Sequence, residues 1–476
     1  MDSSVTRRAG DAAAPLDAAV PQRSAGAAAM RSVSGPVAAG RRIAGLDIAR
    51  GAAVLGTLGT NIWLFTHPAG LLGSLLDSLA GIPAGAQTLA FHVLSSLSNG
   101  KFLALLMMMF GIGVFLQFTA WRRRTTGRGW LRTYAPRAGL LFLDGLINYV
   151  LIAEFDVLMG YAVTGFIVAA IITTSTRSMR LWAWVTGVIH TLGIGLLSLL
   201  LLTQPQAGTA SGSAPTGPPA AWPLWNGINP YRDAGFVELA AFRLDNSLIF
   251  RAEPILTAAM GICLFIIGAR LFAGHIFTTE GSVLRRRCLL IGAAAVPIDL
   301  LLGLIGSPAA VLAQRYLTAG LVAVGLLALI AHASLHRRLP RAVETACAAA
   351  GRMSLSVYLG QNLLAGALFL GWGLDLTGRF PEARLALSIL GFLTVLTAVI
   401  AFALTWQTIA ARRGVRGPAA AEPASRHPRA VAAIAVHTPT LAHIVEQLLE
   451  CVASHGDVIS APAHRGRPAY PTEGSS

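Results

Sequence analysis

Inside a run of mostly apolar residues, Asp47 and Arg50 stand three positions apart, a spacing that sets a carboxylate and a guanidinium on one face of a helix. Val54, Thr57 and Asn61 continue that face, because the step from Arg50 to Asn61 is close to three helical turns. At about 1.5 Å per residue those two side chains lie roughly 16 Å apart along the axis, so one small ligand does not reach both. The Asp47–Arg50 pair can serve as an interfacial ion pair that sets the helix's depth, or it can take a functional role. His67 follows in FTHPAG, where an imidazole with a pKa near ~6.5 could take or give a proton.

Further along, Asp144 and Asn148 are spaced i and i+4, and Glu154 and Asp156 close the same apolar stretch. Asp299 follows Pro297, which can kink a helix, and Arg315 stands in AQRYLTAG. A charge at hydrocarbon depth costs at least about 2.5–3.5 kcal/mol on insertion scales, so such residues usually face a bundle interior or a wet cavity. Asp144 and Asp299 therefore read as proton or cation sites. Arg315 could hold an anionic group or snorkel to the interface.

The elements that carry these residues follow from composition. The chain has 476 residues, 54% of them hydrophobic and only 12% charged, too apolar for a soluble protein of this size. Its net charge of +15 comes from arginines clustered between apolar runs, which argues against a nucleic-acid partner and for a lipid bilayer. A hydrocarbon core of about 30 Å needs about 20 apolar residues per helix. Scanning at that length predicts spans over 46–66, 101–120, 137–153, 157–175, 181–203, 253–273, 288–305, 311–333, 353–372 and 385–409.

Arginine-rich loops stay on the cytoplasmic side. The groups Arg41–Arg42, Arg122–Arg124 with Arg128, Arg132 and Arg137, Arg177 with Arg180, Arg285–Arg287, Arg337–Arg338 with Arg341, and Arg412–Arg413 with Arg416 alternate as a cytoplasmic start requires. The expectation is an all-α, polytopic membrane helix bundle of about ten transmembrane helices with both termini cytoplasmic. Residues 1–42 read as a disordered arm lacking a signal-peptide core, 43–413 as the transmembrane domain, and 414–476 as a low-complexity tail. An interfacial or re-entrant helix is expected at Leu89–Leu97. The proline-rich segment 204–248, with Trp222, Trp225 and Tyr231, reads as an outer loop, and Leu441–Val452 as a short amphipathic helix.

Metal and redox chemistry gain no support. Cys263, Cys288, Cys347 and Cys451 have no CxxC spacing, and the tail histidines are irregularly spaced. The single lysine, Lys101, reads as codon usage in an arginine-rich chain. The GIG at 111–113 is too short for a phosphate loop and reads as tight helix packing.

Three ordered blocks, LDIARGAAVLGTLGTNIWLF (46–65), NGKFLALLMMMFGIGVFLQF (99–118) and GRMSLSVYLGQN (351–362), resemble the YeiB-like family of bacterial multipass membrane proteins. Asp47, Arg50, Gly51 and Asn61 match in the first block, Gly100, Lys101 and Phe102 in the second, Gly351, Arg352, Tyr358 and Gln361 in the third, and Asp156 matches an acidic residue after the third helix. The resemblance covers most of 43–413 and implies a bacterial plasma (inner) membrane protein with no assigned reaction. The family's Gly-Pro-Leu-Glu-like ending is replaced by RRGVRGPAAAEPAS at 412–425. More distantly, the first span is similar to that of membrane acyltransferases of the heparan-α-glucosaminide N-acetyltransferase kind, with His67 in analogy to an outward-side histidine. That similarity implies acyl transfer from a cytoplasmic thioester such as acyl-CoA, with Arg50 toward the donor and His67 with Asp156 activating an acceptor. Alternatives are a transporter of a small polar or amphiphilic metabolite that uses Asp144 and Asp299, and a non-enzymatic envelope assembly factor. No bound cofactor is expected.

Overall fold

The computed structural model describes residues 43–74, 86–125, 129–203 and 228–412, and every regular element in them is helical. At hydrocarbon depth no water satisfies a backbone N–H or C=O, so an open chain of this composition closes its hydrogen bonds within helices. In order these are α1 (Ala44–Phe65), α2 (Ala86–Ser98), α3 (Lys101–Arg124), α4 (Trp130–Ile147), α5 (Leu158–Ile171) and α6 (Thr176–Thr203). Then come α7 (Pro230–Asp233), α8 (Phe236–Asp245), α9 (Ser247–Phe250), α10 (Ala252–Leu256), α11 (Ala258–Ala273), α12 (Ser282–Ile305) and α13 (Pro308–Ala313). The last are α14 (Ala319–Leu335), α15 (Arg341–Arg352), α16 (Ser354–Phe369), α17 (Leu376–Arg379) and α18 (Arg384–Arg412). Two π-helical turns, Asn148–Ile152 and Gln314–Thr318, extend α4 and join α13 to α14. The arm, the tail with its amphipathic stripe, and Trp222 and Trp225 lie outside the described residues.

Each of the ten predicted stretches holds a helix, but length and hydropathy pick out fewer spans. Among the described residues six helices can cross a membrane, or seven when Ser247–Leu256 and Ala258–Ala273, bent by 41°, are taken as one. The bend falls where Pro254 removes a backbone donor and Thr257 Oγ1 turns back to the Glu253 carbonyl at 2.9 Å. The other three stretches are α1, whose polar stripe lowers its hydropathy, and α5 and α16, only 14 and 16 residues long. The expected helix at Leu89–Leu97 is α2. It meets α3 at Gly100, whose φ of 74° favours glycine and whose absent Cβ leaves room for the Arg315 carbonyl. α12 remains one element through Pro297.

The core forms around α1, which contacts α2, α3, α14, α15, α16 and α18. Its most extensive partner is α15, which the sequence reading left within an inner loop. α15 is amphipathic, and it approaches α1 backbone to backbone: a Cβ on Gly51 would overlap the Cys347 carbonyl, and one on Gly351 the Asp47 carbonyl. Small residues permit such contact where the surroundings supply no hydrophobic drive between helices. In the GIG triplet, Gly111 packs on the Phe265 carbonyl while Gly113 faces open space. The outer surfaces of α6, α12 and α18 are apolar, with Trp184 and Leu192 exposed by 73% and 68%, as lipid contact requires.

Overpacking a close contact costs about 1–3 kcal/mol. Gly51→Val is therefore expected to lower the thermal unfolding midpoint of the detergent-solubilised protein by several degrees, and Gly113→Ala to leave it in place. Equal midpoints for the two would contradict the tight α1–α15 seam.

Candidate functional site

Lys101 and Asp299 form a buried ion pair, Nζ to Oδ2 at 2.5 Å, between the start of α3 and the C-terminal third of α12. Lys101 also donates to the Ser96 carbonyl at 2.6 Å. Asp299 accepts from Thr318 Oγ1 at 2.8 Å and Gln314 Nε2 at 3.3 Å, so both partners of the pair are further satisfied, as burial of charge demands. The chain of contacts continues: Asn99 Nδ2 donates to Gln314 Oε1 at 2.8 Å, and Arg315 Nη1 donates to Asn99 Oδ1 at 3.2 Å. Arg315 Nη2 then reaches Glu253 Oε1 at 2.7 Å, and Tyr316 donates to the same oxygen at 2.7 Å. Three donors, counting Arg315 Nε at 3.2 Å, thus converge on Oε1, beside a cavity that Glu253 lines.

That cavity measures about 450 Å3, its open mouth included, and lies among α3, α5 and the bent α9–α11 segment. Glu253 and Asp156 both line it, and Leu103, Met107, Phe155 and Phe250 give it apolar walls. Asp156 sits in the short link between the first π turn and α5. Its Oδ1 accepts from Asn148 Nδ2 at 2.9 Å and its Oδ2 from the Met159 N–H at 3.0 Å. Burial pushes its carboxyl up to about 6, against the opposing pull of those two donors and of Arg251. The link itself is clamped. Arg251 donates to the carbonyls of Glu154 and Asp156 and stacks 3.9 Å from the Tyr149 ring centre, while buried Arg243 pairs with Glu154 at 3.2 Å and caps the Val150 and Ile152 carbonyls.

The sequence-predicted residues divide accordingly. Asp156 lines the cavity, and Asp299 and Arg315 join the network that ends there. Arg315 is committed to Glu253, so the anion-holding role drawn for it gives way to an internal ion pair. Asp47 and Arg50 pair on α1 at 3.8 Å, and Asn61 donates to Asn362 at 3.2 Å while Gln361 donates to Thr57 at 3.1 Å, so the polar stripe of α1 faces α16. The Asp144 side chain is half-buried, makes no hydrogen bond or ion pair among the described residues and does not meet Asp299. His67 lines a different cavity from Asp156, so the two form no acid–base pair.

Reading from residues missed Glu253, Gln314, Arg251 and Arg243, and misjudged Lys101. The signals were present: Glu253 and Lys101 are charges in predicted spans, the same criterion that selected Asp299. Among the described residues no group of three or more His, Cys, Asp or Glu is placed to hold a metal ion.

Apolar outer surfaces, membrane-length helices and a buried polar network define a polytopic α-helical membrane protein. Comparison with known proteins sharpens this class. Residues 271–419 match DUF418, a family described as protein of unknown function. Over 167 residues the chain is 34% identical to the uncharacterized protein YeiB of Escherichia coli (strain K12), covering 35% of this chain and 40% of that protein. Over 155 residues it is 28% identical to the uncharacterized protein YxaH of Bacillus subtilis (strain 168), covering 31% and 37%. The chain spans less than half the length of each relative it matches. These matches bear out the resemblance to YeiB-like proteins carried by the three blocks.

Removing one partner of a buried ion pair costs about 3–5 kcal/mol, because the other charge is left uncompensated. Lys101→Met is expected to lower the unfolding midpoint strongly, and Lys101→Met combined with Asp299→Leu to recover most of it. A double variant no better than the single one would argue against the pair.

Proposed function

We propose that this chain is a multi-pass protein of the bacterial plasma membrane, with about ten spans and cytoplasmic termini, that moves a small polar or amphiphilic molecule in exchange for protons. The observation that carries the reading is the Asp156–Glu253 cavity, where two carboxyl groups and apolar walls line one space at the end of a chain of polar and ionisable groups. Ionisable chains at membrane depth are the usual substrate and proton routes. The arginine alternation favours an outer-leaflet position for the cavity. The walls would hold an apolar tail, and Asp156 and Glu253 the polar head. The two carboxylates are balanced by Arg251 and Arg315, which suits a head group carrying both a donor and an acceptor. Asp156 is the group that changes protonation, and Lys101–Asp299 is structural support for it.

The sign follows from the raised carboxyl. Above about 6 Asp156 is ionised and accepts hydrogen bonds from the substrate; as pH falls through about 6 it is protonated and that hold is lost. In proteoliposomes with an imposed pH difference, uptake of labelled phenylalanine, carnitine and octanoylcarnitine would be measured as zwitterionic probes of different tails. Gradient-driven uptake with a midpoint near 6, reduced at least about tenfold in Asp156→Asn and Glu253→Gln, is the expected result, each lost charge-assisted hydrogen bond being worth about 1.5–3 kcal/mol. Uptake that ignores the gradient, or survives in both variants, would sink the reading.

Acyl transfer from a cytoplasmic acyl-CoA remains a second reading, favoured by one observation: buried His67 lines its own cavity beyond the end of α1. Membranes incubated with labelled acetyl- and longer acyl-CoA would test it. Label on lipid, glycan or protein that disappears in His67→Ala supports it, and label unchanged in that variant removes it.

A further inference from the structure

The second cavity has a composition that neither reading uses. It measures about 410 Å3 with its open mouth included, and it lies where the end of α1 meets α7 and α17. Tyr231 and Phe369 supply aromatic wall, and His67, Asn229, Arg232, Asp375 and Thr377 supply polar groups.

Three features mark it as a built site. Asp375 is held at φ 48°, a left-handed conformation rare for a residue other than glycine, by its Oδ1 accepting from the Gly378 N–H at 3.1 Å. Asn229 is fixed from both ends, its Nδ2 donating to the Pro68 carbonyl at 2.8 Å and its Oδ1 accepting from the Tyr231 N–H at 3.0 Å. Thr377 is 7% exposed, and its hydroxyl has no hydrogen-bond partner, a state that costs free energy unless a ligand completes it. The backbone is joined across the site as well, since the Gly371 N–H donates to the Tyr231 carbonyl at 2.8 Å.

The charges decide the ligand class. A guanidinium and a carboxylate border one small space, so an anion meets Asp375 and a cation meets Arg232. A neutral molecule with several hydroxyl groups meets neither penalty. Hydroxyls both donate and accept, matching a lining that offers a carboxylate, a guanidinium and a threonine hydroxyl. The C–H faces of such a ring pack on Tyr231 and Phe369, which bury large apolar area at fixed geometry. We infer that this second cavity binds a neutral polyhydroxylated ring, either a free sugar or the head group of a glycolipid. The site is separate from the Asp156–Glu253 cavity, and the inference stands whether or not that cavity transports.

Saturation-transfer difference NMR on the full chain in lipid nanodiscs, prepared without sugar-based detergent, tests this. The probes are methyl β-D-glucoside, glucose 6-phosphate, glucosamine and octyl β-D-glucoside. Transfer to the ring protons of methyl glucoside, about tenfold weaker for the phosphate and the amine, is expected. Octyl glucoside competing at least tenfold better than methyl glucoside identifies a lipid head group as the source, and equal competition identifies a free sugar. Asp375→Asn, which keeps a residue tolerant of positive φ, and Thr377→Val should each reduce affinity about tenfold, while Asp156→Asn leaves it unchanged. Both variants must elute as wild type does in size exclusion; where one does not, the other decides. No transfer to methyl glucoside, a preference for the charged probes, or undiminished transfer in a folded variant would overturn the assignment.

Discussion

The fold depends on the fact that a charge buried in a bilayer must be answered by another charge from the same chain. Lys101 and Asp299 are nearly inaccessible and belong to helices far apart in sequence. Buried in the bundle, they are shielded from water, so every arrangement in which they miss each other is strongly disfavoured. Their pairing fixes α3 against α12. The Lys101 bond to Ser96 draws in α2, and the Asp299 bonds to Gln314 and Thr318 draw in the π turn before α14. One ion pair therefore sets the register of four elements.

The π turns make this register compatible with a cavity. A π turn inserts one extra residue into a helix and re-aims the side chains around it, and such turns gather at functional sites. In Gln314–Thr318, Gln314 and Thr318 reach Asp299, while the adjacent Arg315 and Tyr316 reach Glu253. In Asn148–Ile152, Asn148 reaches Asp156, while Tyr149 packs under Arg251. Each turn thus serves a carboxyl on the cavity wall and a structural partner behind it. The carboxyls differ in the result. Glu253 is given a full counter-charge at one oxygen, whereas Asp156 receives hydrogen bonds and burial, which leaves it the group poised to gain or lose a proton near neutral pH.

How much of this was legible in the sequence depended on whether the signal was local. Helix positions were, because a bilayer forces about 20 apolar residues together, and each predicted stretch holds a helix. α15 was not, because its twelve residues, small and mixed in polarity, look like a loop between two arginine-bearing ends until α1 is present to cover one face. Asp156 and Asp299 were found as isolated charges in apolar surroundings. Their partners are a matter of distance across the bundle: Glu253 and Arg315 are 62 residues apart and Asn61 and Asn362 are 301 apart, which no spacing rule along one helix conveys. Lys101 is the instructive error. Its rarity was read as composition, yet a lone lysine opening an apolar helix is the residue most in need of a buried counter-ion.

The separation of His67 from Asp156 bears on which chemistry this bundle can perform. Group transfer needs donor, acceptor and catalytic base held at about 3–3.5 Å from one another in one desolvated space. Here the imidazole and the carboxyl open onto different cavities, divided by the clamped link 153–157 and by the Phe65–Phe155 edge contact at 5.1 Å. Bringing them together would break the Arg251 and Arg243 bonds that hold the link, several charge-assisted contacts at once. The clamped link therefore weighs against His67 and Asp156 acting together on one substrate.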